Sequence, residues 1–286
     1  MTVERIEVPY DGWLTTLEEV YIRQQLIDNI TGENIKKADA ALRQCIAQAS
    51  ADVVAHLGWL PLPYKAERTY TKKPQSKQPD VLVHKDLLEI ESFTDANDAA
   101  VSNYELRPEN GFPKNTITFD TATCAWLSQG CPPSRRRYTV SGWWGYVPHY
   151  PRAWKSTGIE LPSGGISDST AEISVAEEAI DQFQTGDYIR LEDEMLWIYD
   201  RNTSGLKLLV QRGVNGTTAE SHDEETEIKR FLQLDVIRTN TAEWATYLFK
   251  MMPVIGDQVQ VYDSGVQVIN GLSPLIKKAL DKHICV

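Results

Sequence analysis

The residues that could carry chemistry are few and scattered. The densest titratable group is Asp187, Glu192, Asp193 and Glu194. Paired carboxylates of this kind can act as general acid and base or hold a Ca²⁺ ion, but here they fall in a predicted hairpin, where a solvated turn is the simpler reading. The five histidines, His56, His84, His149, His222 and His283, form no His-x-x-x-His pair. There is no Gly-x-Ser-x-Gly elbow and no dinucleotide fingerprint. Cys124 and Cys131 have six residues between them and no histidine nearby, which argues against zinc, and Cys45 falls on the apolar stripe of a helix as a small hydrophobe. The run Arg212-Gly213-Val214-Asn215-Gly216-Thr217-Thr218-Ala219-Glu220-Ser221-His222 has glycine spacing that invites a phosphate loop. It lacks the Gly-Lys-Ser/Thr ending and no helical pattern follows, so a tight glycine-dependent turn between strands is expected. The expectation is a protein that is not an enzyme and needs no cofactor or metal.

The formal charge of −11 is unevenly placed. Residues 158–231 hold 16 acids against six bases, a net of −10, so the rest is close to neutral. Such a field repels phosphates, which suits a surface that DNA slides past better than one that grips it. No apolar run reaches the length of a spanning helix, and Met1–Tyr10 lacks a signal peptide's apolar core.

Two helices come first. Thr15 and Thr16 open one, each with a glutamate three residues on (Glu18, Glu19), and Leu17, Val20, Tyr21 and Ile27 make its apolar side before Gly32. Ile35, Ala38, Leu42, Cys45, Ile46, Ala49, Val53 and Leu57 recur at three- and four-residue steps in the second, which Gly58 stops. Five strands are then expected, at 64–70, 81–93, 103–107, 116–120 and 137–146, with Asn110-Gly111 supplying a hairpin turn through positive φ. The basic stretch Lys72–Pro79 reads as an exposed loop, or one that orders on a partner. Composition makes 148–170 a linker. Residues 171–231 read as a small all-β barrel or sandwich, with Trp197 and Tyr199 in an apolar strand. Leu234, Ile237, Thr241, Trp244, Ala245, Leu248 and Met251 restore helical spacing up to Pro253, and Gly256–Gln267 reads as extended. A last short helix opens at Ser273-Pro274 and is either a docking element or packed on its own domain.

The stretch Tyr138-Thr139-Val140-Ser141-Gly142-Trp143-Trp144-Gly145-Tyr146-Val147-Pro148 is expected to be a bulged strand end, with one tryptophan in the core and the other outside or against a neighbour. Its Val-Ser-Gly-Trp-Trp-Gly-Tyr-Val-Pro ending, preceded by two helices and a β region, resembles the tailed-bacteriophage head–tail connector (neck adaptor, head-completion) family. The Arg212–His222 phrase also resembles turns in small β modules of phage tail and neck proteins. In that family two helices lead to a β region, the Gly-aromatic-Gly-Tyr strand, another helix and a C-terminal tail.

The resemblance implies an α+β fold: a helical connector core with an antiparallel β region from 1–157 and 232–286, plus an inserted acidic β module at 158–231. It implies a ring, a dodecamer, beneath the portal protein at the virion neck, assembled in the host cytoplasm. That ring would join capsid to a downstream neck or tail protein and conduct packaged DNA without sequence-specific contact or membrane. Leu275, Ile276, Lys277, Ala279 and Leu280 are then expected at the portal. Trp143, Trp144 and Tyr146 are expected in the core or at the subunit seam, and Asp187, Glu192, Asp193 and Glu194 on a channel or partner surface. The alternative is a tail or baseplate protein whose β module binds a host glycan, Trp197 or Tyr199 stacking on the sugar, or another tail subunit.

Overall fold

The structure is a computed structural model that describes residues 2–3, 12–24, 33–72, 80–119, 136–251 and 271–284. Cys124, Cys131, Ile27, Gly32, Pro253, the 256–267 stretch and nearly all of the basic Lys72–Pro79 loop lie outside the described residues. In chain order the elements are β1 (Thr2–Val3), α1 (Leu17–Gln24), α2 (Glu33–Leu57), β2 (Tyr64–Lys72), β3 (Asp80–Asp95), β4 (Tyr104–Arg107), β5 (Lys114–Phe119) and β6 (Arg136–Trp144). There follow α3 (Tyr150–Ala153), β7 (Trp154–Glu160), β8 (Glu172–Ser174), α4 (Glu177–Ile180), β9 (Tyr188–Leu191), β10 (Glu194–Asn202), β11 (Lys207–Gln211), β12 (Glu227–Phe231), α5 (Asp235–Met251) and α6 (Pro274–Leu280). The fold is α+β, with two six-stranded antiparallel sheets, and the chain forms two compact units.

The first unit draws on residues 1–10, 60–153 and 215–217. Its sheet has the order β1-β2-β6-β3-β5-β4. β6 is central and pairs without a break along β2, from Tyr64↔Trp144 to Lys72↔Arg136, while its ladder with β3 is interrupted by two irregularities. One face buries Tyr64, Tyr70, Leu87, Phe93, Ile117, Phe119, Tyr138, Val140 and Trp144 as a single cluster. The β4–β5 connection runs over six residues, 108–113, and neither Asn110 nor Gly111 has positive φ, contrary to the expected Asn-Gly turn. Gly111 serves close approach instead: a Cβ there would sit 2.9 Å from the Pro108 ring.

The second unit holds residues 11–59, 154–214 and 218–286. It groups α1, α2, α5 and α6 with the second sheet, a division that differs from the boundaries expected above. The α2 stripe is buried as its spacing predicts, from Leu42 through Cys45, Ile46, Ala49 and Val53 to Leu57, and Gly58 ends the helix at φ +75°. Thr16 caps α1 by accepting the Glu19 N–H at 3.3 Å. The sheet order is β7-β12-β9-β10-β11-β8, a single sheet over one apolar cluster that includes Ile173, Phe183, Ile189, Leu196, Leu208 and Ile228.

Two expectations fail here. Residues 154–160 are not linker but strand β7, paired with β12 from Trp154↔Phe231 to Glu160↔Glu227. Prolines and glycines flank this strand closely enough to hide its apolar Trp154 and Ile159. The Arg212–His222 phrase is not a tight turn but most of a 15-residue connection between β11 and β12.

Candidate interaction sites

The four acidic residues expected on one surface do different jobs. Glu192 and Asp193 form the two-residue turn between β9 and β10, and their side chains are exposed. Glu194, the first residue of β10, faces inward and is buried, which corrects the expectation of a solvated turn. Its two oxygens accept from Arg212 Nε and Nη2, both at 2.7 Å, from the Gly213 N–H at 2.9 Å and the Glu220 N–H at 3.2 Å. His222 Nε2 lies 2.9 Å from the same carboxylate, while its Nδ1 lies 2.9 Å from Glu192. Burial alone would raise the Glu194 pKa. The Arg212, His222 and Glu220 hydrogen bonds outweigh it and hold the carboxyl below its ordinary value. The remaining Arg212 donors reach the Ser167 and Thr170 carbonyls. The chemistry of this cluster is internal satisfaction: its donors and acceptors close the β11–β12 connection on themselves.

Asp187 precedes β9 and accepts the Gln184 N–H at 2.8 Å, with Arg230 at 3.7 Å. Burial pushes its pKa up to about 6 against the pull of Arg230. It lies in the 183–188 loop that receives α1: Leu17 N–H donates to Thr185 O at 2.9 Å, and Glu18 accepts from the Thr185 N–H and from Arg201.

The β6 aromatics are core rather than surface. Trp144 is fully buried and donates from Nε1 to Ala66 O at 2.9 Å. The Arg68 guanidinium lies 3.9 Å from its ring centroid and is bidentate to Asp86, which also accepts from Tyr64. His84 meets the Trp144 ring edge-on at 5.5 Å, and burial lowers its pKa to about 4. Trp143 points to the opposite face yet is only 1 % exposed, so of the two expected alternatives for the second tryptophan, outside or against a neighbour, the outside one is excluded. Tyr146 is half-buried.

The terminal helix splits by face. Ser273 accepts the Ile276 N–H and Pro274 occupies the first turn, as its sequence predicts. Ile276 and Leu280 are buried and α6 packs on α5; Ala279 is half-buried, and Lys277 is exposed. Leu275 is 81 % exposed. His56 of α2 lies 3.2 Å from Asp281 just beyond the helix. In the second sheet Trp197 packs edge-on against Trp13 at 5.4 Å and is half-buried, while Tyr199 is 36 % exposed.

The Glu194–Arg212–His222 cluster and the Arg68–Asp86 pair were not singled out from sequence. Each joins residues 18 to 28 positions apart across strands, and no local pattern marks them. No protein-family model matches the chain, and no curated protein or solved structure matches it.

Proposed function

We propose that the chain is a structural virion protein, one wedge of an adaptor ring beneath the portal that joins capsid to tail and forms part of the DNA channel. The resemblance of Val140–Pro148 to the connector family carries this reading. That stretch runs from β6, hydrogen-bonded on both sides at the centre of its sheet, into the turn before α3, so the motif is built into a core. The charge of −11 agrees with a wall that repels DNA phosphates rather than one that binds them. Residues 158–231 are read as the acidic module added to the connector plan, presenting Glu192 and Asp193 at its surface. Of the residues assigned to the portal, Ile276 and Leu280 are committed to their own unit. Leu275 and Lys277, with the open side of Ala279, are what α6 can offer an assembly contact.

The test is imaging by negative stain and light scattering of the purified chain, alone and with portal protein. Closed rings and portal-bound collars are expected. A particle that stays single at every concentration and does not join the portal overturns the proposal. Glycan binding by such a single particle would favour the tail or baseplate reading.

A further inference from the structure

Three large hydrophobic side chains stand out as exposed among the described residues: Ile22 at 62 %, Tyr199 at 36 % and Leu275 at 81 %. Leu275 differs from the others in its surroundings. Leu275, Lys278 and Lys282 follow at i, i+3 and i+7, so they share one side of the C-terminal segment, whereas exposed Lys277, two positions from Leu275, lies on another side. The opposite side, Ile276 and Leu280, is already spent on the unit's own packing. Residues 271–284 carry three lysines against one aspartate in a chain of net charge −11, and that aspartate, Asp281, faces His56. An apolar knob beside two lysines therefore stands on an acidic protein.

The same chain carries the complementary surface. Within the stretch of net −10, Glu172 pairs with Lys207, Asp193 with Arg190, Glu194 with Arg212 and Glu192 with His222. On α4, Glu177, Glu178 and Asp181 are exposed together, and Ala176 beside them is exposed too. We infer that the Leu275–Lys278–Lys282 face of α6 and the turn after it seats on the α4 side of the acidic module of a second copy. The two patches differ, so copies can join head-to-tail, each seated on the next, and on the ring reading the contact propagates around the ring. Opposite charges steer and register it, and Leu275 supplies the desolvated centre. This inference rests on the ring reading and names one of its seams.

Charge exchange tests it in the full chain. Self-association of wild type is measured by sedimentation velocity over a concentration series at low and high salt, beside Lys278→Glu/Lys282→Glu and Glu177→Lys/Glu178→Lys. All four positions are exposed, and thermal melts confirm that the variants fold. Wild type is expected to associate, less so at high salt. Each variant alone is expected to associate at least about tenfold more weakly, and an equimolar mixture of the two to recover assembly. Variants that assemble like wild type overturn this contact and leave the ring intact, as does a mixture that fails to recover. So do variant rings that form normally but no longer join the portal, which would make the portal the occupant. Wild type that stays single throughout overturns the ring reading and this inference with it.

Discussion

A buried carboxyl can be held down or pushed up, and the second unit does both within a few residues. Asp187 has a folded pKa of about 6 against 3.8 in the free side chain. The folded state thus binds its proton more tightly. The stability this contributes is fully present below pH 4 and is lost as pH rises through about 6. Asp187→Asn keeps an oxygen for the Gln184 N–H while removing the charge. It is expected to raise stability at pH 7–8 by up to roughly 2–3 kcal/mol, less whatever the Arg230 contact returns, and to give no gain below pH 4. Urea unfolding at the two pH values checks this. Glu194 has the opposite sign: its pKa is lowered, so its contribution is present above the ordinary carboxylate range and lost as pH falls below it. Glu194→Ala leaves Arg212 and the Gly213 and Glu220 N–H groups without their buried acceptor. A loss of about 3–5 kcal/mol is expected, read from the urea midpoint at neutral pH. In the first unit His84 is held neutral by burial, down to a pKa of about 4. Its contribution is present above pH 6.5 and lost as pH falls toward 4, opposite to Asp187 over the same window.

Among the elements, β6 and the residue just past it show why Gly142 and Gly145 cannot be replaced. Gly142 lies where β3 is irregular, and a Cβ there would stand 2.1 Å from Glu89 O and 3.0 Å from the Ile90 Cα. Gly145, at φ +135°, would bring a Cβ to 2.2 Å from Leu62 O. Gly142→Ala must push β3 away from β6 and is expected to cost about 3 kcal/mol, whereas Ser141→Ala next to it stays within about 0.5 kcal/mol; thermal melts of both check this. Trp144, the two helices and most strand positions were legible because apolar spacing reports burial directly, as the α2 stripe does. Sequence left the second tryptophan either outside or against a neighbour, because strand alternation assigns a face but does not say that the second face is covered too. β7 was missed because its partner β12 lies some 70 residues on, and nothing local distinguishes Trp154–Glu160 from the proline- and glycine-rich pieces around it. Glu194 reads as solvent-facing in any one-dimensional pattern, since the donors that make its burial tolerable come from Arg212, Gly213, Glu220 and His222.

At the scale of the whole molecule, α6 sets how an assembly role can be tested. A free docking tail could be cut away cleanly. Here Ile276 and Leu280 are buried and α6 packs on α5, so deleting the chain from Ser273 also uncovers the apolar surface they occupy. Removing two aliphatic side chains from a core costs roughly 3–6 kcal/mol, comparable with the whole stability of an ordinary domain. The truncated chain is therefore expected to unfold at a markedly lower urea concentration, and its failure to assemble would say nothing about docking. Leu275→Ser removes the exposed knob and leaves Ile276, Leu280 and the Ser273 cap in place. Its urea midpoint is expected to match wild type within error, while its self-association weakens. A Leu275→Ser chain that unfolds as early as the truncation would mean that this side chain belongs to the core, and α6 would then have no apolar anchor left for an assembly contact, only its lysines and the open side of Ala279.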